Sequence, residues 1–221
     1  MGLATNIEHW DMSAAIGMAT EGVRAKYNTG GGGGGFGAAD MEIASKLDGG
    51  KILAVVHKMG LQFENLALWV MFAYASPNWN RSSSSHKLFE FVINDWVFEC
   101  AAEGNFIQMS MFERIQTILP MVAGGLALEQ LSGADVSGGR NELVYHPVAE
   151  RKALIATLVE HDCDNKGVFS DSFRKKRARY YQSHWDRFSV HIEHLRSIIV
   201  KYDTLARKIY KKQLEKQLGS I

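Results

Sequence analysis

The chain has 221 residues with 25 Lys and Arg against 24 Asp and Glu, a formal net charge of +1, and is 46% hydrophobic. That composition excludes a disordered polyelectrolyte, and two well-separated cysteines, Cys100 and Cys163, exclude a disulfide scaffold. The small net charge hides a split: residues 1–165 hold 11 basic and 19 acidic side chains, a net of −8, and residues 166–221 hold 14 and 5, a net of +9.

The N-terminus, MGLATNIEHWD, carries no positive region followed by an apolar stretch, so no signal peptide is expected. The longest strongly apolar run, Leu66 to Ala75, is about half of the roughly 20 residues a membrane helix needs. A cytoplasmic protein with no membrane partner is expected. Apolar residues recur at three- and four-residue steps, which predicts an all-α, multi-helix fold.

In chain order, a small-residue helix is expected over 11–26. The glycine-rich stretch 30–37 follows, read as a loop because six consecutive glycines lose much entropy on ordering. A short helix from Ala38 should stop at Gly49-Gly50. Residues 51–75 should form one or two helices broken near Gly60, and 76–85 a polar loop. A helix is predicted from Lys87 to Glu103, stopped by Gly104. The next should start at Asn105, with Gln108 in a capping box, and end near Pro120 and Gly124-Gly125. Residues 132–146 read as a second loop. A helix with Pro147 in its first turn should run to about His161, and Asp162 to Gly167 should be a turn. Ser170, Asp171 or Ser172 then caps a last helix, since 173–218 contain neither Gly nor Pro.

That last helix carries a seam of alternating four- and three-residue steps: Tyr181, Trp185, Phe188, Ile192, Leu195, Ile199, Tyr202, Ala206 and Ile209. After Ile209, Lys and Gln take over. The simpler reading docks this face on the chain's own core; the other pairs it with a second copy in a coiled-coil homodimer. The charge division suggests an acidic helical body over 1–147 and a basic helical region over 148–221.

The strongest chemical feature is Arg174, Lys175, Lys176, Arg177 and Arg179: five basic residues in six positions, with Asp171 and Asp186 the nearest acids along the sequence. Such a cluster repels itself unless an anion is near, and nucleic-acid phosphates supply one. These five are expected to hold the phosphates of double-stranded DNA. Gln182, His184 and Arg187, just after them, are expected to meet base edges. The helix before, the turn and the basic helix have the order of a helix–turn–helix unit, with a turn longer than the usual three or four residues.

Other motifs carry less. The glycine run lacks the Gly-Lys-Ser/Thr ending of a phosphate loop. Glu160, His161, Asp162, Cys163 and Asp164 are metal-competent, with His146 as a further candidate, but lie too close in sequence to surround one ion. No metal and no other cofactor is expected, and a metal-dependent enzyme using His161, Asp162 and Asp164 is the alternative. His184, His191 and His194 read as solvated or core-rim histidines, and Cys100 as a packed thiol. No catalytic motif is present, so no enzyme is expected.

Three stretches resemble the late-gene antitermination protein Q family of lambda-like phages. The first is DMSAAIGMA (11–19) with Gly35-Phe36-Gly37-Ala38-Ala39. The second is the apolar pair FENLALWVMFAYA (63–75) and KLFEFVINDWVFECAA (87–102). The third is Trp185-Asp186-Arg187 opening a long helix. The family's paired C-x-x-C zinc ligands are missing, so its zinc is not carried over. The resemblance implies a DNA-binding transcription regulator that engages host RNA polymerase and promotes terminator read-through. The alternatives are a generic DNA-binding activator or repressor, or a homodimeric coiled-coil protein without nucleic-acid binding.

Overall fold

A computed structural model describes residues 10–21, 38–76, 82–132, 135–136, 143–144 and 148–219; for 38–48, 82–84, 132, 135–136, 143–144 and 218 it describes secondary structure alone. The fold is all-α. Its described elements are α1 (Met12–Glu21), α2 (Ala38–Gly60), α3 (Glu64–Tyr74), α4 (Ser82–Ala102), α5 (Met109–Ser132), β1 (Asp135–Val136), β2 (Leu143–Val144), α6 (Arg151–Lys166), α7 (Asp171–Ser183) and α8 (Trp185–Leu218). The two short strands pair antiparallel, Asp135 with Val144 and Val136 with Leu143. The glycine run and Pro147 lie outside the described residues. No described helix is long and apolar enough to cross a membrane.

The chain divides into two compact units, residues 1–86 with 202–221, and residues 87–201. Helix α8 runs from one into the other. The 147/148 boundary expected from charge falls inside the second unit; this division follows packing instead.

In the first unit α1, α2 and α3 pack on one another. Gly49 and Gly50 do not stop α2, which continues to Gly60. Gly49 lies against α1, where a Cβ would make only an ordinary contact 3.4 Å from the Ala19 Cα. The break near Gly60 is as expected. The Thr20 hydroxyl donates to the Ile16 carbonyl (2.8 Å) and accepts from the Ser76 N–H (2.7 Å), tying the end of α3 to α1.

In the second unit α6 packs on α5 and α7. Helix α4 begins at Ser82, five residues earlier than expected, and ends before Gly104, whose φ of +77° suits glycine. Helix α5 starts at Met109 rather than Asn105, and no capping box forms; the Gln108 carbonyl accepts from the N–H groups of Met111 and Phe112. It then runs through Pro120, Gly124 and Gly125. A proline inside a helix costs about 3 kcal/mol. The stripe Ile115, Ile118, Leu119, Val122, Ala123 and Leu126, buried throughout, outweighs that.

Helix α6 begins at Arg151 and extends to Lys166, so Asp162 to Lys166 are helical and not a turn. It ends in a Schellman motif: Gly167 has φ +62°, its N–H bonds the Asp164 carbonyl, and the Val168 N–H bonds that of Cys163. The turn into α7 is therefore Gly167 to Ser170. Ser170 caps α7, its hydroxyl accepting from the Phe173 N–H at 3.3 Å.

The expected single last helix is broken at His184, which closes α7 with φ −115° and ψ 22°. The His184 ring Nδ1 lies 2.9 Å from the Tyr180 carbonyl, and a side chain inserted at the ladder bends a helix without Gly or Pro. The freed Gln182 carbonyl accepts from Arg151 Nη2 at 2.9 Å. The seam from Phe188 to Ala206 is buried within the chain, in accord with the docked reading. It does not fail at Ile209; Tyr210 and Leu214 continue it.

Gly124 and Gly125 make opposite predictions. A Cβ on Gly124 meets nothing, so Gly124→Ala stabilises by about 0.5–1 kcal/mol through helix propensity. On Gly125 it would lie 2.9 Å from the Ala149 Cβ, so Gly125→Ala destabilises by about 1–3 kcal/mol. Urea unfolding of the two variants checks both signs.

Candidate nucleic-acid interface

The basic cluster sits on α7, and the helical period sorts it into two faces. Arg174, Arg177 and Tyr181, at i, i+3 and i+7, face α6. Lys175, Lys176, Arg179 and Gln182 fall on the opposite side and are exposed.

The inward face is organised by Asp162. This carboxylate is 4% exposed and lies on the buried stripe of α6 with Leu158, Val159 and Cys163. Its Oδ2 accepts from the Tyr181 hydroxyl (2.5 Å) and from Arg177 Nε (2.6 Å). Its Oδ1 accepts from Arg114 Nη2 (3.2 Å), and Arg114 Nε donates to the Tyr181 oxygen (2.9 Å). Burial alone would push the Asp162 carboxyl up. The Tyr181 and Arg177 hydrogen bonds and the two guanidinium charges reverse this, leaving it below the ordinary aspartate value. Tyr181 is pushed up to about 12, first by burial and then by donating to Asp162.

Arg177 also stacks on the Tyr180 ring, 4.4 Å from its centroid, and Tyr180 stacks on His184 at 4.5 Å. Arg174 forms a two-pronged pair with Glu160, Nε to Oε1 at 3.0 Å and Nη2 to Oε2 at 2.9 Å, while Nη1 donates to the Phe169 carbonyl. The partners of Arg174 and Arg177 are thus Glu160 and Asp162 on the preceding helix, not Asp171 or Asp186, the nearest acids outside the cluster in sequence.

The remaining cations differ. Among the described residues no ion pair engages Lys175, Lys176, Arg179 or Arg187, and all four are exposed. Gln182 is exposed beside them, whereas His184 is half-buried against Tyr180. Of the eight residues singled out in the sequence, four lie on the open side of α7, Lys175, Lys176, Arg179 and Gln182, and Arg187 is exposed on α8 beyond the His184 break. Arg174, Arg177 and His184 are engaged within the protein.

The metal-competent run is dispersed. His161 lies 2.9 Å from the Thr117 hydroxyl at Nδ1 and 2.9 Å from Asn165 Nδ2 at Nε2, Asp162 holds two arginines, and Asp164 is exposed. Cys100 is buried, as its apolar helix implies, with Sγ 3.8 Å from His194 Nδ1; His194 Nε2 lies 2.7 Å from Glu99. Burial pushes the Cys100 thiol up, which favours its protonated form.

Sequence reasoning missed Arg114 and the organising role of Asp162. The available signal was an acid at an i+4 position of an apolar helical stripe, where a charge implies a buried partner. Compared with protein-family models, curated proteins and solved structures, the chain matches none.

Asp162→Asn keeps the shape and removes the charge that two part-buried arginines need. A loss of about 3–5 kcal/mol at neutral pH is expected from urea unfolding. Because the folded-state pKa of Asp162 is depressed, its contribution is present above the unfolded value of about 3.9 and lost as pH falls through the lower folded value. The native protein therefore loses stability on acidification through that range, and Asp162→Asn loses less over the same range.

Proposed function

We propose that the chain binds double-stranded DNA through the open side of α7 and regulates transcription as a phage-type antiterminator in the bacterial cytoplasm. The observation that carries the DNA reading is the sorting of α7. Its inward arginines are satisfied by Glu160 and Asp162, while Lys175, Lys176 and Arg179 stand together on an exposed face with no acid among the described residues paired to them. Unpaired cations at about one-turn spacing suit phosphate oxygens, and releasing counterions from DNA drives the association. Arg187 extends the charge across the His184 joint, and Gln182 lies between as the group suited to a base edge. Arg174 and Arg177 act as positioning residues rather than phosphate contacts. The turn of Gly167 to Ser170 has the length common in helix–turn–helix units, which favours α7 as the recognition helix. The antitermination reading rests on the resemblance in the sequence, with host RNA polymerase as the protein partner.

Affinity for duplex DNA, measured by fluorescence anisotropy across a salt series, tests the contact face. Replacing Lys175, Lys176 and Arg179 together by Ala should flatten the plot of log K against log salt by about 2.7, roughly 0.9 for each lost phosphate contact. An unchanged slope removes the assignment. Transcription in vitro past a terminator tests the rest: read-through that depends on the protein supports antitermination, and DNA binding without read-through leaves a generic regulator.

A further inference from the structure

A second surface lies at the turn from α4 to α5, in the unit that carries the basic helix. Its frame is rigidly built. Gly104, in the left-handed region, closes α4, with its own N–H on the Ala101 carbonyl and the Asn105 N–H on that of Cys100. Four residues later the Gln108 carbonyl receives the first N–H groups of α5. Between these anchors the chain presents apolar side chains to solvent: Phe106 is 96% exposed and Met109 70%, and Phe98 on α4 is 74% exposed. Phe106 and Met109, with Val97, Ala101, Ile107 and Phe112, border an open groove of about 440 Å³, whose one polar lining residue among the described residues is Asn105. Among the described residues nothing covers it. Clustered exposed aromatics and a methionine mark an interaction surface rather than scattered surface hydrophobes.

Charge identifies the occupant. From Leu88 to Glu113 the chain carries five carboxylates, Glu90, Asp95, Glu99, Glu103 and Glu113, and no Lys, Arg or His. Glu99 is held by Lys201 (2.9 Å) and His194 (2.7 Å). Glu103 and Glu113 remain exposed beside the groove. Glu103 is hydrogen-bonded by Asn105 in the groove wall, and Glu113 stands one helical turn beyond Met109 on the same side of α5. The nearest cation in sequence, Arg114, is turned inward to Asp162 and Tyr181.

We propose that this groove docks a cationic amphipathic helix of a protein partner. The apolar floor takes the helix's i, i+4 and i+7 anchors, and Glu103 and Glu113 meet Lys or Arg beside them. A second copy of the same face is a poor occupant, because a symmetric contact sets carboxylates against carboxylates. A small polar ligand is equally poor, since Asn105 is the lone polar side chain among the described residues of the wall. This proposal stands apart from the DNA reading and survives its failure.

The test uses the full chain with methyl-labelled methionine and two synthetic amphipathic peptides. One has Leu and Phe anchors with Lys flanks, and its twin has Glu in place of every Lys. The Lys peptide should bind with a shift of the Met109 methyl signal, and its twin about tenfold or more weakly. Phe106→Ser with Met109→Ser changes only exposed side chains; circular dichroism should be unchanged and calorimetric affinity for the Lys peptide should drop about tenfold or more. Glu103→Lys with Glu113→Lys should reverse the preference between the peptides. Equal binding of both peptides, no binding, or full affinity in the Phe106→Ser, Met109→Ser variant overturns the proposal. So does a methyl shift produced by protein concentration alone, which would make a second copy the occupant.

Discussion

Asp162 lies out of water with a phenol and two guanidinium groups on its oxygens, and which side of α7 faces inward follows from it. A lone carboxylate in that position would be protonated or would unfold its surroundings. Paired with Arg177 and Arg114, it instead fixes which side of α7 faces inward. Helical geometry does the rest. Once Arg174, Arg177 and Tyr181 are turned toward α6, Lys175, Lys176 and Arg179 must point away. An uncompensated cluster at the start of a helix would oppose the macrodipole. Here Glu160 neutralises one member, Asp162 another, and Asp171 adds favourable charge in the first turn.

The first unit repeats the same device. Asp203, 4% exposed on α8, accepts from Trp69 Nε1 (3.0 Å), from the Tyr74 hydroxyl (2.5 Å) and from Arg207 Nε (2.7 Å). Arg207 Nη2 returns to the Tyr74 oxygen at 2.7 Å. Burial and the bond to Asp203 push the Tyr74 phenol well above its usual value. In each unit an aspartate on a buried helical stripe gathers an arginine and a tyrosine. Such sets add little net stability over an apolar core but permit few alternative packings, because a shifted helix leaves a charge unpaired. Glu129 acts similarly, 3% exposed, accepting from two nitrogens of Arg196 and from the Val148 N–H.

Signals in the sequence that act through local backbone chemistry were legible. Gly104 and the break near Gly60 end helices as read, and Ser170 caps α7. The seam on α8 is buried from Phe188 to Ala206. Breakers that packing overrides were not legible. Gly49-Gly50 and Gly124-Gly125 look like stops, yet both pairs lie inside helices, and Gly125 is a site of close approach between segments. Pro120 is carried by the apolar stripe around it. The His184 joint has the opposite character, a break without a breaker, made by a ring against its own helix's carbonyl. The basic cluster itself was plain, but its division into holding and open faces was not. That division depends on Glu160 and on Asp162, and the expected turn at 162–167 had taken Asp162 off the helix.

Buried Asp162 and exposed Glu160 hold the inward arginines of α7, and in the proposed DNA reading the outward cations meet phosphate. The most direct measurement is the set of arginine Nε–H NMR signals of the full chain as duplex DNA is added. The account predicts that Arg179 and Arg187 shift, while Arg177 and Arg114 keep their signals because Asp162 and Tyr181 still hold them. A shift at Arg177 as large as at Arg179, or none at Arg179 on bound DNA, would contradict it.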